Sequence, residues 1–351
     1  LFQVYEGSGN PEITVPDIKW QYLRDDEWVD LTKAEFLKDT TKGLVKTGII
    51  QFSLPGDIST DNHILNRSLH WIRASVKENI AALPDLIDIK AQAALARFED
   101  KNNSATHLET ALPADTISKL KQSDDGIKSV SQPFSSFGGK TKETDDQFYI
   151  RVSERLRHKN RAITIWDYER LVLEAFPSIH KVKCINHTYA GENKDHENAP
   201  GHVMVVVIPD LRNKNAVNLY EPKVDLDSLT DIAEFLGKLN TPFVKGSLKD
   251  KQTPAENKLQ VVNPWYEQVQ VSLHVKFHKG YDKGQYQKEL NEAIKKFLSP
   301  WAYDVGAPVN FGSIMHKSVI VDYIEELPYV DYLTDFKVYL FDGQGDSQEV
   351  S

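Results

Sequence analysis

A single cysteine, Cys184, stands in 351 residues, so no disulfide can form within the chain and its folding must rest on apolar cores. That cysteine usage suits a reducing compartment, and equally any protein that never needed covalent staples. Nowhere does an apolar run approach the ~20 residues of a membrane-spanning helix, which excludes a helical membrane protein. Cations are outnumbered, with 42 Lys and Arg against 51 Asp and Glu, a net charge of -9. A protein that coats DNA needs the reverse balance, because counterion release requires many cations along one surface. Catalytic signatures are missing too: there is no G-x-S-x-G, no H-E-x-x-H and no Ser/His/Asp context. The Gly138-Gly139-Lys140-Thr141 stretch imitates the end of a phosphate-binding loop, but Phe134 occupies the position where that loop needs its first glycine. Cys184, His187, His196 and His202 lack the paired close spacing of a zinc site. No catalytic, cofactor-binding or metal site is therefore expected. The chain starts at Leu1 rather than Met, from which it is expected to be part of something longer.

What is present reads as α+β and multidomain. The N-terminal part is rich in strand signals: Asp17–Leu31 breaks at Asp25-Asp26 between aromatic-rich pieces, "GIIQFSLPGD" ends in a Pro-Gly turn, and "LHWIRASV" follows. Pro84–Phe98, with Leu86, Ile89, Ala93 and Ala96 at helical spacing, predicts a helix. Ser, Asp, Asn, Lys and Gly dominate from Lys101 to Lys140, predicting a linker or loop. Further on, "KVKCINHT" and "HVMVVVIPD" read as strands around a polar loop, with a helix over Ser228–Leu239 that has Asp231 as its box partner. The C-terminal part repeats this grammar, from the alternating strand "EQVQVSLHVKF" through helices "KGQYQKELNEAIKKFL" and "GSIMHKSVIVDYIEEL" to the strand "YLTDFKVYLF". The expected organisation is a β-rich domain plus helix over 1–100, a linker over 101–140, a helical hairpin with an α+β domain over 141–255, and a C-terminal α+β domain over 256–351.

The hairpin is the most legible element. Thr144 with Gln147, and Thr164 with Asp167, each form a capping box, and Ile163 with Tyr168 occupy the two positions of a hydrophobic staple. Phe148, Val152 and Leu156 recur every four residues as one apolar stripe; Tyr168, Leu171, Val172, Ala175 and Phe176 make another, stopped by Pro177. Between them Arg151, Arg155, Arg157, Lys159 and Arg161 concentrate positive charge in an acidic chain. Three readings stay open for that patch. It is a solvated helix face, a nucleic-acid-binding module, or an ion-pairing interface suited to arginine's planar, weakly hydrated fork. Against nucleic acid stand Glu154, Asp167 and Glu169, which intersperse the cations with repelling carboxylates.

The segment "GGKTKETDDQFYIRVSERLRHKNRAITIWDYERLVLEAFP", Gly138 to Pro177, resembles the baseplate J-like family, wedge proteins of contractile phage tails and of extracellular contractile injection systems. The double glycine, Glu143, the run from Arg151 to Ala162 and the W-D-Y-E-R of Trp166 to Arg170 carry the likeness. "LHWIRASV", "GHVMVVVIPDLRN" and "PWAYDVGAPVNFGS" extend it over most of the chain. The resemblance implies a structural wedge subunit without enzymatic activity, set in a hetero-oligomeric ring with other wedge subunits, hub and spike, and sheath-proximal baseplate proteins. It implies coupling to sheath contraction, assembly in the bacterial cytoplasm, and a particle released from the cell. Partner contacts are expected on Arg151, Glu154, Arg155, Arg157, His158 and Arg161, with Trp166 and Tyr168 as aromatic anchors, and neither membrane nor nucleic acid as a partner. A nucleic-acid-binding module using the same hairpin is the alternative, separable by its steep salt dependence.

Overall fold

The computed structural model describes residues 1–10, 13–104, 106–139, 141–191, 195–210, 218–241, 243–244, 258–304, 307, 309, 311–312, 316–341 and 347–349. It is α+β, with its strands divided among several small sheets. The first ninety residues hold β1 (Phe2–Val4), β2 (Lys19–Arg24), β3 (Glu27–Asp30), β4 (Phe36–Asp39), β5 (Ile50–Phe52), β6 (Ile72–Ser75) and β7 (Leu86–Ile89). β2 and β3 form the hairpin that turns at Asp25-Asp26, where Asp25 takes a φ of 53°, a left-handed conformation that Asp tolerates better than most residues. β6 adds to the other edge of β2, while β4 pairs with β5 and β1 with β7. Phe2, Trp20, Phe36 and Phe52 make successive ring contacts with centroids 5.1 to 6.2 Å apart, the aromatic centre of this part.

The helix predicted over Pro84–Phe98 does not form. Leu86–Ile89 instead lies antiparallel to Phe2–Val4, and irregular chain continues from there. An isolated helix is marginal unless its apolar face is buried, and this segment meets no core: Leu95 and Phe98 are both exposed. β1 offers unpaired backbone groups, and Leu-Ile-Asp-Ile satisfies them.

α1 (Asp145–His158) and α2 (Ile165–Ala175) form the hairpin, followed by β8 (Ile179–Asn186), β9 (Val203–Pro209), α3 (Leu226–Leu239) and β10 (Leu259–Val262). The sheet runs β10-β9-β8, with β8 antiparallel and β9/β10 parallel, so α3 is the crossover of a β-α-β unit. Leu171 and Val172 of α2, and Leu229, Ile232, Ala233 and Leu236 of α3, close a core over Val182, Cys184, Val205, Val207 and Val261. Each such side chain contributes roughly 1.5–3 kcal/mol by leaving water. α3 starts a turn before the Ser228 its sequence predicts: Asp225 is the N-cap and accepts from the Ser228 amide at 3.0 Å.

The last part holds β11 (Gln268–Phe277), α4 (Lys283–Leu298), α5 (Lys317–Glu325), β12 (Val330–Phe341) and β13 (Ser347–Glu349) in a sheet of order β11-β12-β13. Along β11 the alternate residues Val271, Leu273, Val275 and Phe277 face a core built from Leu290, Ile294, Ile320 and Ile324. α5 starts at Lys317, within the longer helix read from sequence, whose residues 313–315 lie outside the described set.

The N-terminal strands dock on the α3 region. Lys46 pairs with Asp227, Lys42 lies 3.7 Å from the same carboxylate, and Gly7 sits against the Lys223 backbone. A Cβ on Gly7 would fall 2.6 Å from the Lys223 carbonyl oxygen, at a φ of +79° that side chains rarely adopt. Gly7→Val is therefore expected to cost about 2 kcal/mol or more, seen as a lower melting temperature. Gly56→Ala, with nothing within 4 Å, is the matched control and should melt with the wild type.

Candidate functional site

Both capping boxes form. Thr144 Oγ1 accepts from the Gln147 amide at 3.3 Å while Gln147 Oε1 accepts from the Thr144 amide at 3.0 Å. Thr164 Oγ1 accepts from the Asp167 amide at 3.2 Å, and Asp167 Oδ2 accepts from the Thr164 and Ile163 amides at 2.8 and 3.3 Å. Ile163 itself stays exposed, so only the Tyr168 half of the staple position is buried. Lys159 and Asn160, with φ of 49° and 53°, turn the chain between the helices, and the Ala162 amide donates to the Leu239 carbonyl at 3.0 Å. Ala162 thereby pins the loop to the end of α3, with α1 reaching outward from it.

The expected partner residues separate into two sets. Tyr168, 3% exposed, is part of the central core, and burial pushes its hydroxyl up to about 12. It is thus not a surface anchor, because its place on the α2 stripe carries it into the sheet. His158 is also enclosed, its side chain fully buried: Nδ1 accepts from the Asn160 amide at 3.0 Å, and Nε2 lies 3.5 Å from Glu174 Oε2. It positions the loop rather than presenting a contact.

Arg151, Glu154, Arg155, Arg157, Arg161 and Trp166 keep surface. Arg151 grips Glu143 with two bonds of 2.7 and 3.0 Å, Glu154 lies 3.4 Å from Arg170, and Arg155 lies 3.4 Å from Glu174. The Arg157 guanidinium sits 4.1 Å over the Trp166 ring, with Arg170 5.8 Å from it. The bond from Arg151, first, holds the Glu143 carboxyl below its ordinary range. A depressed carboxylate stabilises at neutral pH and loses that contribution as pH falls through its folded value, so acid is expected to loosen this clasp. With three guanidiniums facing carboxylates, the hairpin is not a continuous phosphate track. Glu174 and Arg170, which are not among the expected partner residues, complete the pairs. They are contributed by the other helix, and no spacing within one helix reveals a pairing across two.

The apolar stripe of α1 meets no core: Phe148 is 43% and Leu156 69% exposed, Val152 between them is half-buried, neighbouring Tyr149 is 68% exposed, and His158 is the helix's buried residue. The polar flank, with Arg151, Glu154 and His158, makes the contacts to Glu143 and α2 instead.

Other chemistry-bearing residues are occupied structurally. The Cys184 thiol is enclosed and pushed up to about 12, chiefly by burial, and its amide donates to Glu169 Oε1 at 3.0 Å, so α2 covers an edge amide of β8. Among the described residues no three His, Cys, Asp or Glu side chains converge as metal ligands, and no helix is long and apolar enough to cross a membrane. A cleft of about 1140 Å³ lies between the N-terminal strands and the hairpin, and its walls include the Glu143–Arg151 and Glu154–Arg170 pairs.

Compared with known proteins, residues 12–348 match the family model described as "Baseplate protein PVC11-like". Among solved structures, a chain of the anti-feeding prophage (AFP) baseplate, determined by cryo-EM with 6-fold symmetry, aligns at 17% identity and a TM-score of 0.44 over 99% of this chain and 73% of that one. No curated protein matches the sequence.

Proposed function

The chain belongs to the PVC11-like baseplate proteins, and from that premise we propose that it is a structural wedge subunit of a phage-tail-like contractile injection particle. In this reading it joins a hetero-oligomeric ring around the hub and spike, contacts sheath-proximal baseplate proteins, and passes attachment to sheath contraction without enzymatic activity. It assembles in the bacterial cytoplasm and leaves with the particle. The finer kinship with baseplate J-like wedges is supported by the Gly138–Pro177 signature, and the partner surface of the hairpin is Arg151, Glu154, Arg155, Arg157, Arg161 and the edge of Trp166. The domain plan, now without its N-terminal helix, is one unit of strands, a connecting segment over 101–140, the hairpin with its α+β unit, and the C-terminal α+β unit.

One observation carries this reading: no described residue between Ala82 and His158 is buried. That stretch includes all of α1 except its last residue and makes no core of its own. Ordering a residue costs roughly 1–2 kcal/mol of backbone entropy, and a stretch whose side chains are at most half-buried offsets little of it unless a neighbour supplies the surface.

The test compares limited tryptic digestion of the isolated protein with that of purified particles. Cleavage at Arg97, Lys101, Lys119, Lys121 and Lys128 is expected to be fast in the isolated chain and suppressed in the particle. A chain absent from purified particles, or cut equally fast in both, would remove the wedge reading.

A further inference from the structure

α1 is mounted inside out, and its exposed face is self-complementary. At 3.6 residues per turn, Phe148, Val152, Leu156 and Tyr149 fall within an arc of about 100°, opposite the flank that meets α2, with Val152 half-buried at its centre and the other three exposed. Asp145 lies on the same arc at the N-terminal end of the helix, and Lys159, the C-cap, follows it at the other end; both are exposed. No ion pair joins either of them to another described residue. Turned end over end, the face therefore matches itself. Asp145 falls opposite Lys159, Phe148 opposite Leu156, Tyr149 opposite Arg155, and Val152 lies on the axis.

We propose that a second copy of this chain covers the face, with two α1 helices packed antiparallel about a two-fold axis through Val152. Charge complementarity selects this occupant. A parallel arrangement would set the Asp145-Asp146 ends against each other and the Arg155, Arg157 and Lys159 ends likewise, whereas the antiparallel one pairs opposite signs at both ends. A two-fold contact requires such self-complementarity, since each residue of one copy meets its partner in reverse order. The spacing of four between Phe148, Val152 and Leu156 is a ridge that seats in the groove of another helix, not a strand's alternation. The contact goes beyond the wedge reading, since it concerns the free chain as well as any particle. One helix pair falls short of the ~1,000 Å² of a stable interface, so cross-linking rather than column elution is the appropriate readout.

The chain's one cysteine is buried, which makes introduced thiols selective. Val152→Cys in the full chain, concentrated and mildly oxidised, is expected to give a reducible dimer. Mixing Phe148→Cys chains with Leu156→Cys chains should give more mixed dimer than either gives alone. In the Val152→Cys background, Asp145→Lys or Lys159→Asp is expected to lower the dimer yield about tenfold by turning two exposed attractive pairs repulsive, and the two changes together to restore it. Circular dichroism of each variant confirms that the helices are intact. Absence of a Val152→Cys dimer in folded protein, yields indifferent to both charge changes, or failure of the double variant to recover would overturn the proposal. So would a cross-link to a different subunit in place of a second copy when the same cysteine is carried into particles. A chain that dimerises but never enters particles would sink the wedge reading and leave this one standing.

Discussion

Reversal of Arg155 and Arg157 together to glutamate is expected to abolish the yield of intact particles while the isolated protein melts within a few degrees of the wild type. Arg155 meets Glu174 at 3.4 Å with more than half its side chain in water, and Arg157 lies over Trp166 at 4.1 Å. Exposed contacts of these kinds contribute roughly 0 to 1 kcal/mol each, which for a protein of this size moves the midpoint by about 5 °C or less. Capping boxes, the Ala162 anchor and the core do not involve either guanidinium. Within an assembled interface the balance differs, because removing one member of a desolvated charge pair typically costs about 2 to 5 kcal/mol of binding. Melting of the purified variant beside negative-stain counting of particles from the same cells gives both numbers. A variant that is insoluble or melts far lower would assign both arginines to the fold, and normal particle yield would remove them from the interface.

Tyr168→Ala should do the opposite, destabilising the isolated protein by about 3 to 5 kcal/mol, the cost of truncating a large buried aromatic. Its ring lies in the cluster with Leu171, Val172, Val205 and Leu236, so the void opens between α2 and the sheet. Urea unfolding followed by tryptophan fluorescence reads the loss, and particle yield should fall with the fraction folded. A variant with wild-type unfolding but no particles would return Tyr168 to the partner surface. Trp166→Ala distinguishes the neighbouring position. Its half-buried ring holds Arg157 and Arg170, so a smaller stability loss is expected, measured in the same titration.

The two helices of the hairpin divide what local sequence can and cannot reveal. Helix starts were legible because capping is local: Thr144 and Gln147, or Thr164 and Asp167, close their bonds within one turn. The α2 stripe was legible because its period matched a face that does meet a core. The same period in Phe148, Val152 and Leu156 marks an apolar face of α1 that no core covers, since periodicity identifies an apolar face without saying what lies against it. Leu86–Ile89 failed for a related reason. Its helical spacing was real, but a free edge of β1, more than eighty residues away in sequence, offered pairing that a lone helix could not match. Cross-helix partners such as Glu174 and Arg170 were invisible for want of any local signal.

By itself the sequence determined the α+β class, the turn at Asp25-Asp26, the capped hairpin, the strands β8, β9 and β11, and the absence of any disulfide within the chain. These rest on bonds and periodicities spanning a few residues, and chain chemistry is sufficient for them. Only the tertiary structure decided that His158 and Tyr168 face inward, that the arginines pair with Glu143 and Glu174, and that no residue from 83 to 157 among those described finds a core. Burial depends on which surfaces meet across long sequence separations, and the hydrophobic effect rewards the removal of apolar area from water without regard to which neighbour removes it.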